Sequence, residues 1–133
     1  MSTHLTAFRN CARVANCATH KFKIGAVIIK SGRIISTGFN RTNSYSAYLN
    51  YNRISKWTDS VHAEQSAILH ALKSFDGLKH LVGATLYVTR ISSKNQIRLA
   101  KPCKYCMELI RSVGISKVIY TTSEQTIETI KGD

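Results

Sequence analysis

Apolar and polar positions divide the chain into helical and extended stretches. Residues 3–18 carry Leu5, Phe8, Ala12 and Ala15 at helical spacing, with Ser2 or Thr3 available as N-cap, and predict a helix. Phe22 to Ile29 is β-branched and apolar around Gly25, Ser31-Gly32 suits a tight turn, and Arg33 to Phe39 runs back. This segment predicts a β-hairpin with a buried first strand. Asn40 to Ser60 reads as a long polar loop carrying Tyr45, Tyr48, Tyr51 and Trp57. Those aromatics could stack a base, fill a subunit contact or pin the loop to the surface. A second helix, capped by Asp59 or Ser60, has the apolar face Ala67, Ile68, Ala71, Leu72 and Phe75 and is expected to end at Asp76-Gly77.

Ala84 to Thr89 predicts a strand. Arg90 to Lys101 reads as a connection with the cations Arg90, Lys94, Arg98 and Lys101 and no acidic residue. Pro102 suits the first turn of a third helix, because its missing N–H would have no intrahelical partner there. That helix turns Met107, Ile110 and Val113 inward and stops at Gly114. Lys117 to Thr122 is a strand parallel to 84–89, reached through the helical crossover. Thr126 to Ile130 alternates and is β-branched; the link from the preceding strand is so short that a strand here must run antiparallel, and a short helix is the alternative. The order predicts an α/β architecture, a mixed sheet of about five strands with helices on both faces, in one domain spanning 1–133.

Chemistry enters through two short motifs. Val61-His62-Ala63-Glu64 contains His-x-Glu, and Pro102-Cys103-Lys104-Tyr105-Cys106 contains Pro-Cys-x-x-Cys. His62, Cys103 and Cys106 make one imidazole and two thiolates, the ligand number of a catalytic zinc that keeps a fourth position for water. Zinc in such a site lowers the pKa of its water toward ~7. Each motif begins a predicted helix, so the positive dipole ends favour thiolates over thiols. Glu64 is surplus to the ligand set and free to carry protons as general acid and base. Competing readings are a structural zinc site, which usually has four protein ligands, and a thioredoxin-like redox pair, which would sit after an early strand. Cys11 and Cys17 read as small, partly buried helix residues, and His4, His20, His70 and His80 lack partner spacing.

Composition adjusts this picture in two ways. At 133 residues with 44% hydrophobic content, the chain can bury a core without disulfides, and its four cysteines are too few for a disulfide scaffold. No apolar run reaches membrane-span length and no signal-peptide pattern opens the chain, which makes a cytoplasmic protein the expectation. The formal net charge of +12 favours anionic partners: nucleotide phosphates, nucleic acid or an acidic surface.

The pattern His-x-Glu followed by Pro-Cys-x-x-Cys is the signature of zinc nucleobase deaminases. With Ile24-Gly25-Ala26-Val27-Ile28, Gly38-Phe39-Asn40 and Leu86-Tyr87-Val88-Thr89 in the same order, the chain resembles the cytidine/deoxycytidylate deaminase family from about Ile24 to Tyr120. The resemblance implies the three-layer α/β/α cytidine-deaminase fold, a Zn2+ cofactor and a homo-oligomer. It also implies substrate contacts: the Ala63 N–H to the pyrimidine carbonyl, the Pro102 carbonyl to the leaving amino group, and Asn40 to the sugar. The chain departs from the family pattern with Ser66 after the first motif, with no Gly and Pro after Asn40, and with twelve residues between Thr89 and Pro102. Three functions follow from this. The first is deamination of a dCMP-like nucleotide, its phosphate met by Arg98 and Lys101. The second is deamination of cytosine or adenine in single-stranded DNA or RNA, with aromatics and charge forming the groove. The third is a non-catalytic zinc or nucleic-acid binding module, which intact Glu64 disfavours.

Overall fold

The computed structural model describes residues 3–18, 22–40, 61–74, 76–124 and 126–131. The 41–60 part of the expected loop, with its four aromatics and the expected caps Asp59 and Ser60, lies outside these residues, as do Ser2, His20 and Phe75. Helix α1 is Thr3–Ala15, and the hairpin strands are β1, Lys23–Lys30, and β2, Arg33–Phe39. Helix α2 is Ala63–Leu72 and α3 is Gly77–Leu81. Strand β3 is Thr85–Ile91 and β4 is Ile97–Arg98; helix α4 is Lys104–Ser112; strands β5 and β6 are Lys117–Thr121 and Ile127–Lys131.

The strands form one sheet in the order β2-β1-β3-β5-β6, with β4 paired to β3. β1 is antiparallel to both β2 and β3; β3 and β5 are parallel through the α4 crossover; β6 is antiparallel to β5. The C-terminal segment is therefore a strand and not a helix. Period-two alternation separates two cores. Ala26, Ile28, Leu86, Val88, Val118 and Tyr120 face α2 and α4, whereas Val27, Tyr87 and Ile119 face α1. Helices thus cover both faces of a mixed sheet, the three-layer arrangement expected.

Two glycines set how closely the helices approach. A Cβ on Gly25 would lie 2.1 Å from the Cys11 carbonyl oxygen in α1, and one on Gly38 would lie 2.4 Å from the Ala67 nitrogen and 2.6 Å from the Ala63 oxygen in α2. Gly25 pairs with Phe39 and Gly38 with Ala26, so the two notches open on opposite faces of the hairpin. Ser36 Oγ also donates to the Ala67 carbonyl at 2.6 Å, tying β2 to α2. The Ser31-Gly32 turn has both residues at positive φ, as a two-residue hairpin of right-handed twist requires. Helix α4 ends in a Schellman arrangement: Ile115 N–H donates to the Ile110 carbonyl and Gly114 N–H to that of Arg111.

The structure refines several sequence expectations. Among the described residues the sheet of about five strands gains a sixth, because Ile97 and Arg98 inside the basic connection pair with β3. Pattern analysis misses a two-residue strand, which is too short to show a period. Strand β3 also runs to Ile91, past the expected end at Thr89. Helix α1 stops at Ala15, and its buried line is Ala7, Cys11 and Ala15, not Leu5 and Ala12. These smaller side chains win because Gly25 draws the helix against the sheet. Helix α2 ends at Leu72, and Asp76-Gly77 starts α3 instead of closing α2.

Candidate active site

The site forms where the N-termini of α2 and α4 meet. His62 is the N-cap of α2, with extended backbone, and its own N–H donates to the Gln65 side chain at 3.4 Å. Glu64 follows as the second helical residue. Cys103, not Pro102, occupies the N-cap of α4; Pro102 lies one position earlier and Cys106 three positions later. The Cys106 N–H donates to Cys103 Sγ at 3.5 Å, so both sulfurs stand at the positive end of the α4 dipole.

These helix ends bring together all three expected ligands. His62 Nδ1 lies 3.4 Å from Cys106 Sγ and 3.7 Å from Cys103 Sγ. All three ligand atoms fall within 4.8 Å of one another. Tetrahedral zinc with Zn–N and Zn–S bonds of about 2.1 and 2.3 Å spans an N···S edge of about 3.6 Å, which matches both separations.

The electrostatics point the same way. Burial lowers the pKa of His62, which keeps its imidazole in the neutral, ligating form. Burial first, then the neighbouring Glu64 and Cys103, hold the Cys106 thiol far above its ordinary range. Loss of hydration pushes Glu64 up to about 7, with its own backbone N–H pulling the other way. Acidic groups crowded into a buried volume resist ionisation unless a cation joins them. A divalent ion supplies that charge, so the donor set fits zinc.

A cavity of about 280 Å3 opens beside these groups. His62, Cys103, Glu64, Asn40, Arg90 and Lys101 line it, with apolar wall from Phe22, Ile24 and Leu99. Asn40 is buried and already engaged: its Oδ1 accepts from Ile24 N at 2.8 Å and its Nδ2 donates to Phe22 O at 2.6 Å. One amide hydrogen and one oxygen lone pair of Asn40 remain for a ligand. Ala63 and Pro102 are buried beside the ligand residues and are not among the lining residues. Arg98 lies in a neighbouring cavity instead.

Sequence reasoning did not single out Arg90. The signal was available: β3 alternates Leu86, Val88 and Arg90 onto the face that carries α2 and α4. Of the remaining histidines, His4 Nδ1 lies 2.8 Å from the Tyr87 hydroxyl and His70 Nδ1 lies 2.9 Å from the Thr37 carbonyl. Cys11 is fully buried and Cys17 exposed, and neither belongs to the metal cluster.

A sheet flanked on both faces by helices, with two helix ends gathering His, Cys, Cys and a buried acid outside the ligand set, defines a zinc-dependent deaminase. Comparison with known proteins gives the family. Residues 1–122 match the cytidine and deoxycytidylate deaminase zinc-binding region. The deoxycytidylate deaminase of Mycobacterium phage D29 is 31% identical over 113 residues, 74% of this chain and 77% of that protein. The dCMP deaminase of cyanophage S-TIM5, solved in complex with dCMP and dUMP, superposes with a TM-score of 0.56 at 25% identity, over 90% of this chain and 77% of that one. The cytidine deaminase of Burkholderia pseudomallei shares the fold with a TM-score of 0.69 at 18% identity, over 99% of this chain and 94% of that one. The chain belongs to the zinc-dependent cytidine and deoxycytidylate deaminase family, whose members are hydrolases. Among the described residues no helix is long and apolar enough to cross a membrane.

Proposed function

We propose that this protein hydrolyses the amino group from a cytosine nucleotide of the dCMP type, giving the uracil nucleotide and ammonia. The observation that carries this reading is Glu64, a buried carboxyl beside the His62–Cys103–Cys106 cluster and on the wall of its cavity. The dCMP and deoxycytidylate deaminases among its relatives support the substrate class.

His62, Cys103 and Cys106 would hold the zinc, which would supply Lewis-acid activation of water. Glu64 takes a proton from the attacking water as its oxygen bonds to C4, and passes that proton to N3 of the ring. It then carries the second water proton to the amino group, the C4–N bond breaks, and ammonia leaves with the C4–O bond retained as the uracil carbonyl. Burial favours this role, because loss of hydration raises the Glu64 carboxyl above the usual carboxylate range and makes it a readier proton acceptor. Ala63, as first residue of α2, has an N–H with no intrahelical acceptor, suited to the pyrimidine carbonyl. The Pro102 carbonyl, immediately before Cys103, is assigned to the leaving amino group, and the spare amide valences of Asn40 to the sugar. Lys101, on the cavity wall, adds positive charge.

The test is Glu64→Ala. Zinc content and folding should persist while conversion of dCMP falls by about 10²–10⁴-fold, the usual worth of a positioned acid–base group. Retained turnover would refute the assignment, and loss of zinc would make Glu64 a ligand.

A further inference from the structure

We infer that Arg90 and Arg98 form a phosphate subsite built by the β3–β4 hairpin, and that it holds the 5′-phosphate of the nucleotide whose base lies at Glu64. The inference rests on the deaminase reading above and extends it to the part of the substrate that does not react.

The hairpin register places Arg98 directly opposite Arg90. Opposed residues of an antiparallel pair point to the same face, and like charges there repel. The segment offers no relief of its own, since residues 90–101 contain no carboxylate. The Arg98 guanidinium donates to the neutral Gln96 side chain. The Arg90 guanidinium stands 4.2 Å over the centroid of the Phe22 ring, which fixes its plane. Among the described residues, Arg90 Nε is buried with no hydrogen-bond partner. Burying a guanidinium N–H unpaired is costly, which marks Arg90 as held under strain, and an anion bound between the two arginines would remove their repulsion.

The surroundings match a phosphate. Arg90 belongs to the wall of two cavities at once: the catalytic one and a second of about 220 Å3 that includes Arg98, Ser92, Ser93 and Ser123. Ser92 Oγ already accepts from the N–H groups of Lys94 and Gln96, at 3.2 and 3.1 Å, so its hydroxyl proton is left to donate. Two arginines and three serines lining one cavity suit a single doubly charged phosphate. A strand backbone would instead present its phosphates along an open track.

The experiment compares kcat/KM for dCMP and deoxycytidine on the zinc-loaded protein and on Arg90→Gln, Arg90→Lys, Arg98→Gln and, as a distant control, Lys117→Gln. Wild type should prefer dCMP. The dCMP-to-deoxycytidine ratio should fall about ten- to hundredfold in Arg90→Gln and Arg98→Gln, as expected for losing a charged hydrogen bond. Arg90→Lys should restore part of it, since lysine keeps the charge without the fork. Lys117→Gln should leave the ratio unchanged. A wild-type ratio near one, or a ratio that both glutamine variants preserve, overturns the subsite while turnover of the two substrates upholds the deaminase reading. Preference for a short cytosine oligonucleotide over dCMP would assign the arginines to a strand backbone and overturn the inference too. Arg98→Gln carries the test if Arg90→Gln, which loses its contact with Phe22, fails to fold. Wild type that turns over neither dCMP nor deoxycytidine sinks the deaminase reading and the subsite with it.

Discussion

Substituting Gly38 with alanine would test how the sheet aims the metal ligands. The added Cβ would lie 2.4 Å from Ala67 N and 2.6 Å from Ala63 O, where ordinary contact begins at 3.4 Å. Both neighbours are helix backbone, so relief requires α2 to retreat by about 1 Å, an overpacking strain that costs about 1–3 kcal/mol. The retreat moves His62 and Glu64 with α2 but leaves Cys103 and Cys106 on α4. Ligand distances tolerate only about 0.2 Å, so zinc binding should weaken along with stability. Gly25→Ala is the matched control: its Cβ clashes at 2.1 Å with Cys11 O, but it displaces α1 on the opposite face. We expect both variants to unfold at lower urea concentration, and only Gly38→Ala to surrender zinc more readily to a chelator of graded concentration. Equal zinc retention in the two variants would refute the claim that the Gly38 notch sets the ligand geometry.

Other consequences concern protons and assembly. In metal-free protein, Glu64 keeps its proton up to about pH 7 when folded but ionises from about 4.5 when unfolded, so stability should fall as pH rises through that window. Glu64→Gln should remove that loss, worth roughly 3 kcal/mol by pH 8, and urea titrations at pH 4.5 and 8 check it; parallel behaviour of variant and wild type would contradict it. Zinc affinity should rise with pH from 5 to 8, because the Cys103 and Cys106 thiols must release protons to bind; a pH-independent affinity by competition titration would contradict the thiolate assignment. We expect at least a dimer by light scattering, since Leu72, Leu78 and Val82 expose 39, 54 and 53% of their surface; a monomer at micromolar concentration would refute this.

How much of this was legible in the sequence depends on what each feature rests on. His62, Glu64, Cys103 and Cys106 were readable because their chemistry is carried by residue type and short spacing. The β1–β2 hairpin, the parallel pairing of β3 with β5 and the antiparallel return of β6 followed from alternation and connection length, whereas the β1–β3 pairing that completes the sheet carries no local signal. Ala15 of the expected α1 face is buried, but Ala7 and Cys11 were passed over because they are weakly hydrophobic, and what buries this line is the absence of a side chain at Gly25. Strand β4 was missed because a two-residue pairing depends on its partner, not on its own pattern. Arg90 was read only as one cation of the basic connection, for a related reason. It belongs to β3 by alternation, yet a polar residue at the end of an apolar run reads as the start of a connection. The contacts proposed for Ala63 and Pro102 come from backbone groups, which carry no residue signature.

The most direct measurement is to strip the metal, restore one equivalent of zinc per chain, and follow conversion of dCMP with ammonia release at each stage. The account predicts no turnover in the stripped protein and recovery that saturates at about one zinc per chain, with dUMP and ammonia formed in equal amounts. Turnover that persists after zinc removal, or a fully loaded protein that leaves dCMP untouched, would contradict it.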